Sequence, residues 1–210
     1  MSDESVRRSA EELERLWAGD FGAGWVDRNA RPFEQRAQLW RELLDRYPCR
    51  SVLEVGAAHG ENLRHLSALV PAAAICGLDV NEAALDAMGE VAPGVQRARA
   101  TARHLPFRDA SFDVVITVGL LIHQPDETLG DVMDEIVRCS ARFVICGEYH
   151  SDEPTSIRYR DLDGVLFKRD YGQLYVDRFD TLALRETLFL TTEEHGFDRV
   201  TMHVFERTDR

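Results

Sequence analysis

The stretch Val52-Leu-Glu-Val-Gly-Ala-Ala-His-Gly60 decides the fold of this chain. Residues 51–55 form a short apolar run, which is typical of a strand buried on both faces, and residues 61–70 repeat their apolar positions at helical spacing. Gly56 and Gly60 let the backbone turn sharply and come close to a ligand, which a Cβ atom would prevent. The start of the following helix offers free N–H groups to a polar or anionic group. Taken alone, this loop is a weak indication of a ligand site.

Strands and helices alternate on both sides of this loop. Further strands are predicted at residues 74–78, 95–100, 112–118 and 143–146, and helices at 82–88 and 127–139. After a predicted helix over 168–179, residues 182–190 and 200–206 are predicted as two strands joined by the polar turn 191–199. Apolar strands separated by helices indicate a parallel sheet that is covered on both faces. We therefore predict an α/β fold: a doubly wound, Rossmann-like, mostly parallel seven-stranded sheet that ends in an antiparallel C-terminal hairpin.

The N-terminal part of the chain is predicted to be a helical cap. Ser9 followed by Glu12 is the pattern of a capping box, and residues 32–46 carry a second apolar stripe at helical spacing. Between them, Gly19-Asp-Phe-Gly-Ala-Gly-Trp25 is predicted to be a flexible aromatic loop. A bound ligand could offset the entropy cost of ordering such a loop. We expect residues 1–46 to form a lid on a single domain of 210 residues; ordinary packing of an N-terminal helix is the alternative.

Composition excludes several classes of partner. The formal net charge is −12, which argues against nucleic acid because such binding depends on neutralising phosphates. No apolar run reaches the roughly 18 residues needed to span a bilayer, and the charged N-terminus lacks the apolar stretch of a secretory signal. We therefore expect a cytoplasmic protein with a small-molecule partner, no membrane contact, and a monomeric or homodimeric state. The four cysteines are too widely spaced to predict a metal site.

Two more segments extend the ligand site beyond the glycine loop. The second strand ends at Leu78-Asp79-Val80-Asn81, which places a carboxylate beside the loop, at the C-terminal edge of the sheet. An aspartate there can accept hydrogen bonds from both ribose hydroxyls of an adenosine. The segment Thr101-Ala-Arg-His-Leu-Pro-Phe107 follows the third strand. Three strand ends that can contact one adenosine together indicate an adenosine-containing cofactor.

The identity of the loop residues distinguishes two cofactor classes. A dinucleotide fingerprint would have glycines at 56, 58 and 61, whereas this chain has Ala58 and Glu61 at the last two positions. Glu61 would place a carboxylate near the expected pyrophosphate. S-adenosylmethionine has no phosphate, and it carries an amine that an acidic loop tolerates. The sequence therefore favours S-adenosylmethionine over NAD or NADP.

The same residues resemble the motif series of class I S-adenosylmethionine-dependent methyltransferases. The resemblance covers roughly residues 50–146 and rests on Glu54-x-Gly56-x-Ala58-x-Gly60, Asp79, Leu105-Pro-Phe107 and Ser111-Phe-Asp113. A narrower one, to the methylases associated with pseudaminic acid biosynthesis, rests on Trp17-Ala-Gly-Asp-Phe-Gly22, Asp27-Arg-Asn29, Thr117-Val-Gly-Leu-Leu-Ile-His123, Glu148-Tyr149 and Leu166-Phe-Lys-Arg-Asp170. These resemblances imply methyl transfer from S-adenosylmethionine.

Two positions depart from the class I pattern. Ala58 replaces a usual glycine, a mild change if its φ is negative. Thr101 replaces the acidic residue that often accepts a hydrogen bond from the adenine amino group, so adenine contacts are expected to be weaker or made by backbone only.

The strand ends, the lid and the resemblance together give a candidate cofactor site. We expect Arg28 to face the methionine carboxylate, and Glu54 either to hold the loop through backbone N–H groups or to meet the methionine amine. The full set is Trp17, Trp25, Arg28, Asn29, Glu54, Gly56, Ala58, Gly60, Asn62, Asp79, Val80, Thr101, Ala102, Arg103, Val118 and Leu120.

Residues after the fourth and fifth strands are the candidates for chemistry on the acceptor. We predict His123, Glu148 and Tyr149 as catalytic, with His123 or Glu148 accepting a proton; a structural role for His123 is the alternative. The predicted acceptor-binding residues are His150, Arg158, Tyr159 and Arg160. Alternatively, this basic segment is a solvated face whose charges pair with nearby aspartates.

The function that follows is N- or O-methylation of a polar small molecule, such as an amino sugar, an amino acid or a secondary metabolite. A protein methyltransferase and a non-catalytic module that binds S-adenosylmethionine remain the alternatives.

Overall fold

The computed structural model describes residues 8–209, so the first seven residues of the predicted cap lie outside it. Its strands are β1 Val52–Val55, β2 Ile75–Asp79, β3 Gln96–Arg99, β4 Phe112–Val118, β5 Ser140–Glu148, β6 Thr155–Tyr159, β7 Leu162–Lys168, β8 Leu182–Leu190 and β9 Val200–Arg207. Seven of them form one sheet in the order β3-β2-β1-β4-β5-β9-β8. β1 to β5 are parallel, whereas β9 runs antiparallel to both β5 and β8. The predicted fold class is confirmed, with the last strand inserted beside β5.

Helices cover both faces of this sheet. They are α1 Ala10–Ala18, α2 Asp20–Asn29, α3 Arg36–Arg46, α4 Glu61–Leu66, α5 Glu82–Val91, α6 Asp126–Cys139, α7 Tyr171–Arg178 and α8 Thr192–His195. Alternating strand residues enter two separate apolar clusters: Val52 and Val114 join one, and Leu53 and Val115 join the other. Burial on both faces explains why the strands read as continuous apolar runs. None of the helices within residues 8–209 is long and apolar enough to cross a membrane.

The prediction of a flexible loop at residues 19–25 is wrong, because this segment forms most of helix α2. The glycines serve close packing. A Cβ atom on Gly22 would lie 1.9 Å from the Trp17 carbonyl oxygen and 2.8 Å from Nδ2 of Asn81. That Asn81 amide donates hydrogen bonds to the carbonyls of Trp17 (2.8 Å) and Gly19 (3.0 Å). The junction between α1 and α2 is thus fixed to the end of β2.

A second difference lies after β5, where strands β6 and β7 form a separate antiparallel hairpin. The sequence predicted no strand here, and it placed the start of the next helix at residue 168, which instead ends β7. The turn of the hairpin is Arg160-Asp161, with φ values of +47° and +62°. Two successive positive φ values match the twist of a tight hairpin turn, although neither residue is the usual Gly or Asn.

Candidate cofactor and acceptor site

The glycine loop after β1 is held against the end of β2. The backbone N–H groups of Gly56 and Ala57 both donate to the Leu78 carbonyl, at 2.8 and 3.0 Å. Gly56 has φ +73°, and a Cβ atom there would lie 2.8 Å from Cδ1 of Leu120. Gly60, at φ +79°, leaves space for Met88. Both glycines are therefore required by the backbone and by its close neighbours.

The expectation of a negative φ at Ala58 is wrong, because this residue lies in the left-handed region at φ +46°. Its N–H donates to Oδ2 of Asp79 at 2.9 Å, and the N–H of Asn81 donates to Oδ1 at the same distance. These bonds fix a conformation that costs a non-glycine residue about 1–2 kcal/mol. Asp79 therefore shapes the loop and still presents lone pairs to a ligand, because each carboxylate oxygen can accept more than one bond.

Glu54 of β1 lines the site and is linked by hydrogen bonds to helices α4 and α3. Asn62 donates to Oε1 of Glu54 at 2.6 Å, and Arg36 donates to the Asn62 oxygen at 2.9 Å. Oε2 of Glu54 is buried without a hydrogen-bond partner, and burial raises the pKa of this carboxyl to about 7. The first predicted role of Glu54, holding the loop through backbone N–H groups, is not seen. The buried oxygen remains available to a cationic ligand group.

A cavity of about 630 Å³ opens along these strand ends, within the size range of small-molecule sites. The predicted cofactor residues that line it are Trp17, Trp25, Asn29, Glu54, Gly56, Ala58, Asn62, Asp79, Val80, Thr101, Ala102, Arg103, Val118 and Leu120. The predicted acceptor-side residues that line it are His123, Tyr149, Tyr159 and Arg160. The structure thus brings most of the predicted site residues to one cavity.

Three predicted basic residues lie away from this cavity. Arg28 is exposed, and its guanidinium lies along α2 beside Gly24, so it does not face a methionine carboxylate. His150 is exposed and contacts Asp152 at 3.0 Å. The side chain of Arg158 is 63% exposed and lies 3.6 Å from Asp161. This agrees with the alternative that the basic segment is a solvated face whose charges pair with nearby aspartates.

Glu148 does not lie where a catalytic base would be needed. Its carboxylate is 1% exposed and accepts the backbone N–H groups of Leu120 (3.2 Å), Leu121 (3.0 Å) and Ile122 (3.2 Å). These bonds hold the short turn that carries His123. We therefore replace the catalytic prediction for Glu148 with a positioning role.

His123 has the geometry of a neutral proton acceptor. Its Nδ1 lies 2.8 Å from the Val165 carbonyl oxygen, which can only accept, so Nδ1 carries the proton. Nε2 has no hydrogen-bond partner among residues 8–209. Burial lowers the pKa of this imidazole to about 4, so it is neutral near pH 7. Its ring lies 4.3 Å from that of Trp17 and 5.8 Å from that of Tyr159.

Tyr149 lines the cavity as a hydrogen-bond donor. Its hydroxyl donates to Oδ2 of Asp198 at 3.1 Å, and burial together with this carboxylate raises its pKa far above the usual range. The phenol therefore stays protonated and does not act as a base.

Sequence reasoning missed several residues that line the same cavity. Glu14, Arg31, Arg36, His59 and Asp198 come from α1, the helical cap, the glycine loop and the turn before β9. His59 belongs to the glycine loop, so its place in the sequence could have identified it as a residue that lines the cavity. The others reach the cavity only through tertiary packing, which no local pattern reveals.

The residues present fit S-adenosylmethionine. Three side chains along the cavity have buried polar atoms without partners: Oε2 of Glu54, Nε1 of Trp17 and both ring nitrogens of His59. Such atoms are costly unless a bound group satisfies them. A buried carboxylate suits an ammonium group, and Asp79 suits a pair of hydroxyls. Within the described part of the chain, no group of three acidic, histidine or cysteine side chains could hold a metal ion.

Comparison with known proteins agrees with this chemistry. Residues 52–142 match the family model described as "Methyltransferase domain". Over 71 residues the chain is 38% identical to the phthiotriol/phenolphthiotriol dimycocerosates methyltransferase of Mycobacterium tuberculosis. The match covers 33% of this chain and 26% of the relative, so it spans about a quarter of the relative's length.

Solved structures extend the similarity to the whole fold. The Burkholderia thailandensis 1,6-didemethyltoxoflavin-N1-methyltransferase, solved with its ligand and S-adenosylhomocysteine, gives a TM-score of 0.77 at 14% identity, over 98% of this chain and 93% of that chain. The magnesium protoporphyrin IX methyltransferase of Synechocystis PCC 6803, solved with S-adenosylmethionine, gives 0.68 at 12% identity, over 99% and 100%. The predicted fold class is therefore confirmed; residues 52–142 match a methyltransferase domain, and both solved neighbours contain the predicted cofactor or its demethylated product.

Proposed function

We propose that the protein transfers the methyl group of S-adenosylmethionine to a nitrogen or oxygen of a polar small molecule. The observation that carries this proposal is the position of His123 in a cavity of about 630 Å³. The cavity is bounded by strand ends, by α1 and α2, and by the β6–β7 hairpin, so it suits a compact acceptor better than a macromolecule. The candidate acceptor classes are amino sugars, amino acids and secondary metabolites. The resemblance to pseudaminic acid-associated methylases supports an amino sugar.

The cofactor supplies an electrophilic methyl group on a sulfonium, and the chain supplies positioning and proton transfer. Asp79 and Glu54 would hold the hydroxyls and the amine of the cofactor. The neutral Nε2 of His123 would take the proton of the acceptor, because Nδ1 is already fixed by Val165. Glu148 keeps this turn in place through three backbone N–H groups.

The lining of the cavity also offers two cations. Arg31 and Arg160 line it, and neither side chain makes an ion pair or hydrogen bond within residues 8–209. By contrast, Arg36 bonds to Asn62 and Gly196, and Arg103 bonds to glutamates of α1. We propose that Arg160, beside Tyr159, holds an anionic group of the acceptor.

Methyl transfer to extracts tests the proposal. The protein is incubated with methyl-labelled S-adenosylmethionine and with either the small-molecule fraction or the protein fraction of its own organism. Label in the small-molecule fraction supports the proposal. Label in proteins alone favours the protein methyltransferase, and binding of the cofactor without transfer to either fraction favours a non-catalytic module.

His123→Asn then tests the mechanism on the identified acceptor. The asparagine amide can still donate to the Val165 carbonyl but has no counterpart of Nε2. We expect kcat to fall about 10²–10⁴-fold and to recover at a pH where the acceptor loses its own proton. Affinity for S-adenosylhomocysteine should not change. An unchanged kcat and pH profile would leave His123 with a structural role only.

A further inference from the structure

The end of the cavity beyond Asp79 is closed by a carboxylate from the N-terminal helix. Glu14 of α1 lines the cavity, and its Oε2 accepts hydrogen bonds from Oγ1 of Thr101 (2.7 Å) and from Nη2 and Nε of Arg103 (2.9 and 3.3 Å). Thr101 and Arg103 belong to the loop after β3, the strand beside β2. The N–H of Ala100 in this loop donates to the Asp79 carbonyl at 3.3 Å.

Glu14 retains hydrogen-bonding capacity toward the cavity. Its Oε1 has no partner among the residues that the structure describes, and the side chain is 34% exposed. A carboxylate accepts at both of its oxygens, and here only Oε2 is taken up by Thr101 and Arg103. Glu11, one turn earlier, differs: it is 64% exposed, contacts Arg103 at 3.1 Å, and does not line the cavity.

The orientation of the cofactor follows from the strand order and rests on the proposed function. Glu54 and the glycine loop at the end of β1 suit the amino-acid part, and Asp79 at the end of β2 suits the ribose. The base would then extend toward the end of β3, where Ala102 offers an apolar surface. Thr101 presents no carboxylate in this loop, and its hydroxyl donates to Glu14.

We propose that Glu14 accepts a hydrogen bond from the 6-amino group of the adenine ring and so determines the base specificity of the cofactor site. The carboxylate that the loop lacks at position 101 is supplied by a helix 87 residues earlier in the chain. The contact also joins the N-terminal cap to the bound base.

Binding of two ligands to three proteins tests this proposal. S-adenosylhomocysteine carries the 6-amino donor, whereas S-inosylhomocysteine carries a 6-oxo acceptor at the same place. Calorimetry measures both with the wild type, Glu14→Gln and the matched control Glu11→Gln, after thermal melts show that each variant is folded. We expect the wild type to prefer the amino ligand about tenfold, because the 6-oxo group would place one hydrogen-bond acceptor against another, the Glu14 carboxylate.

Glu14→Gln should lose most of this preference, because its amide can donate to the 6-oxo group, and Glu11→Gln should keep it. An unchanged preference in Glu14→Gln overturns the proposal. Equal weakening of both ligands also overturns it, since that result assigns Glu14 only to fixing α1 on the loop. A wild type that binds neither ligand would instead refute the cofactor assignment.

Discussion

Replacing Asp79 by Asn separates the two tasks that the structure gives this carboxylate. Oδ2 accepts from the N–H of Ala58 and Oδ1 from the N–H of Asn81, both at 2.9 Å. An asparagine has one carboxamide oxygen, so its NH₂ group must face one of these donors. One largely buried N–H then stays unpaired, which costs about 1–3 kcal/mol of unfolding free energy. The Ala58 backbone at φ +46° has no other side-chain bond to hold it.

The same substitution should also weaken ligand binding, independently of its effect on stability. Loss of the charge on the acceptor of two ribose hydroxyls removes about 1.5–3 kcal/mol, which is a tenfold to 150-fold increase in the Kd of S-adenosylhomocysteine. Urea unfolding measures the first effect, and calorimetry on the folded protein measures the second. Asp86→Asn, an isosteric change at an exposed position of α5, should alter stability by less than about 0.5 kcal/mol and leave binding unchanged. Reduced stability with an unchanged Kd would refute the ribose contact, and an unchanged stability would refute the role in the loop.

Two further variants test the buried carboxyl and the cation of the site. Burial raises the folded-state pKa of Glu54 to about 7, so its contribution to stability should be fully present below about pH 4.5 and be lost as pH rises through about 7. Glu54→Gln should remove about 3 kcal/mol of this pH dependence in urea unfolding, and parallel pH profiles of the two proteins would contradict it. Arg160→Ala should raise the KM of an anionic acceptor about tenfold, while the Kd of S-adenosylhomocysteine stays constant. The control Arg158→Ala should change neither constant, because Arg158 lies at the surface beside Asp161. Equal effects of the two variants would contradict the anion contact.

The centre of the sheet could be predicted from the sequence because its inner parallel strands are buried on both sides. Residues 112–118 of β4 and residues 182–190 of β8 were predicted with the bounds that the structure shows. Glycine-rich α2 could not be, since glycine is usually a helix breaker, and only the approach of Trp17 and Asn81 explains Gly22. The β6–β7 hairpin was missed because β6 is short and polar and the turn lacks glycine.

The cofactor side of the site was more predictable than the acceptor side. Asp79 and the glycine loop follow directly from strand ends, whose positions are set by the parallel sheet. Glu148 was predicted as catalytic because it lies at the end of the fifth strand. That position does not reveal that its carboxylate already accepts three backbone N–H groups. Arg28 illustrates the same limit: it was predicted to face the ligand as part of the N-terminal lid, but the helix turns it to solvent.

Asn81 explains how these parts act together. Its backbone N–H donates to Oδ1 of Asp79, its side-chain oxygen accepts from the N–H of Ala84 at the start of α5, and its amide donates to the carbonyls of Trp17 and Gly19. A single residue thus caps a helix, orients the proposed ribose-binding carboxylate and fixes the N-terminal cap. Since the ring of Trp17 in turn contacts that of His123, a continuous path of contacts joins the cofactor edge to the proposed base. The cap is therefore an integral wall of the site, and lifting it would cost the two amide hydrogen bonds that hold Asn81 to the α1–α2 junction.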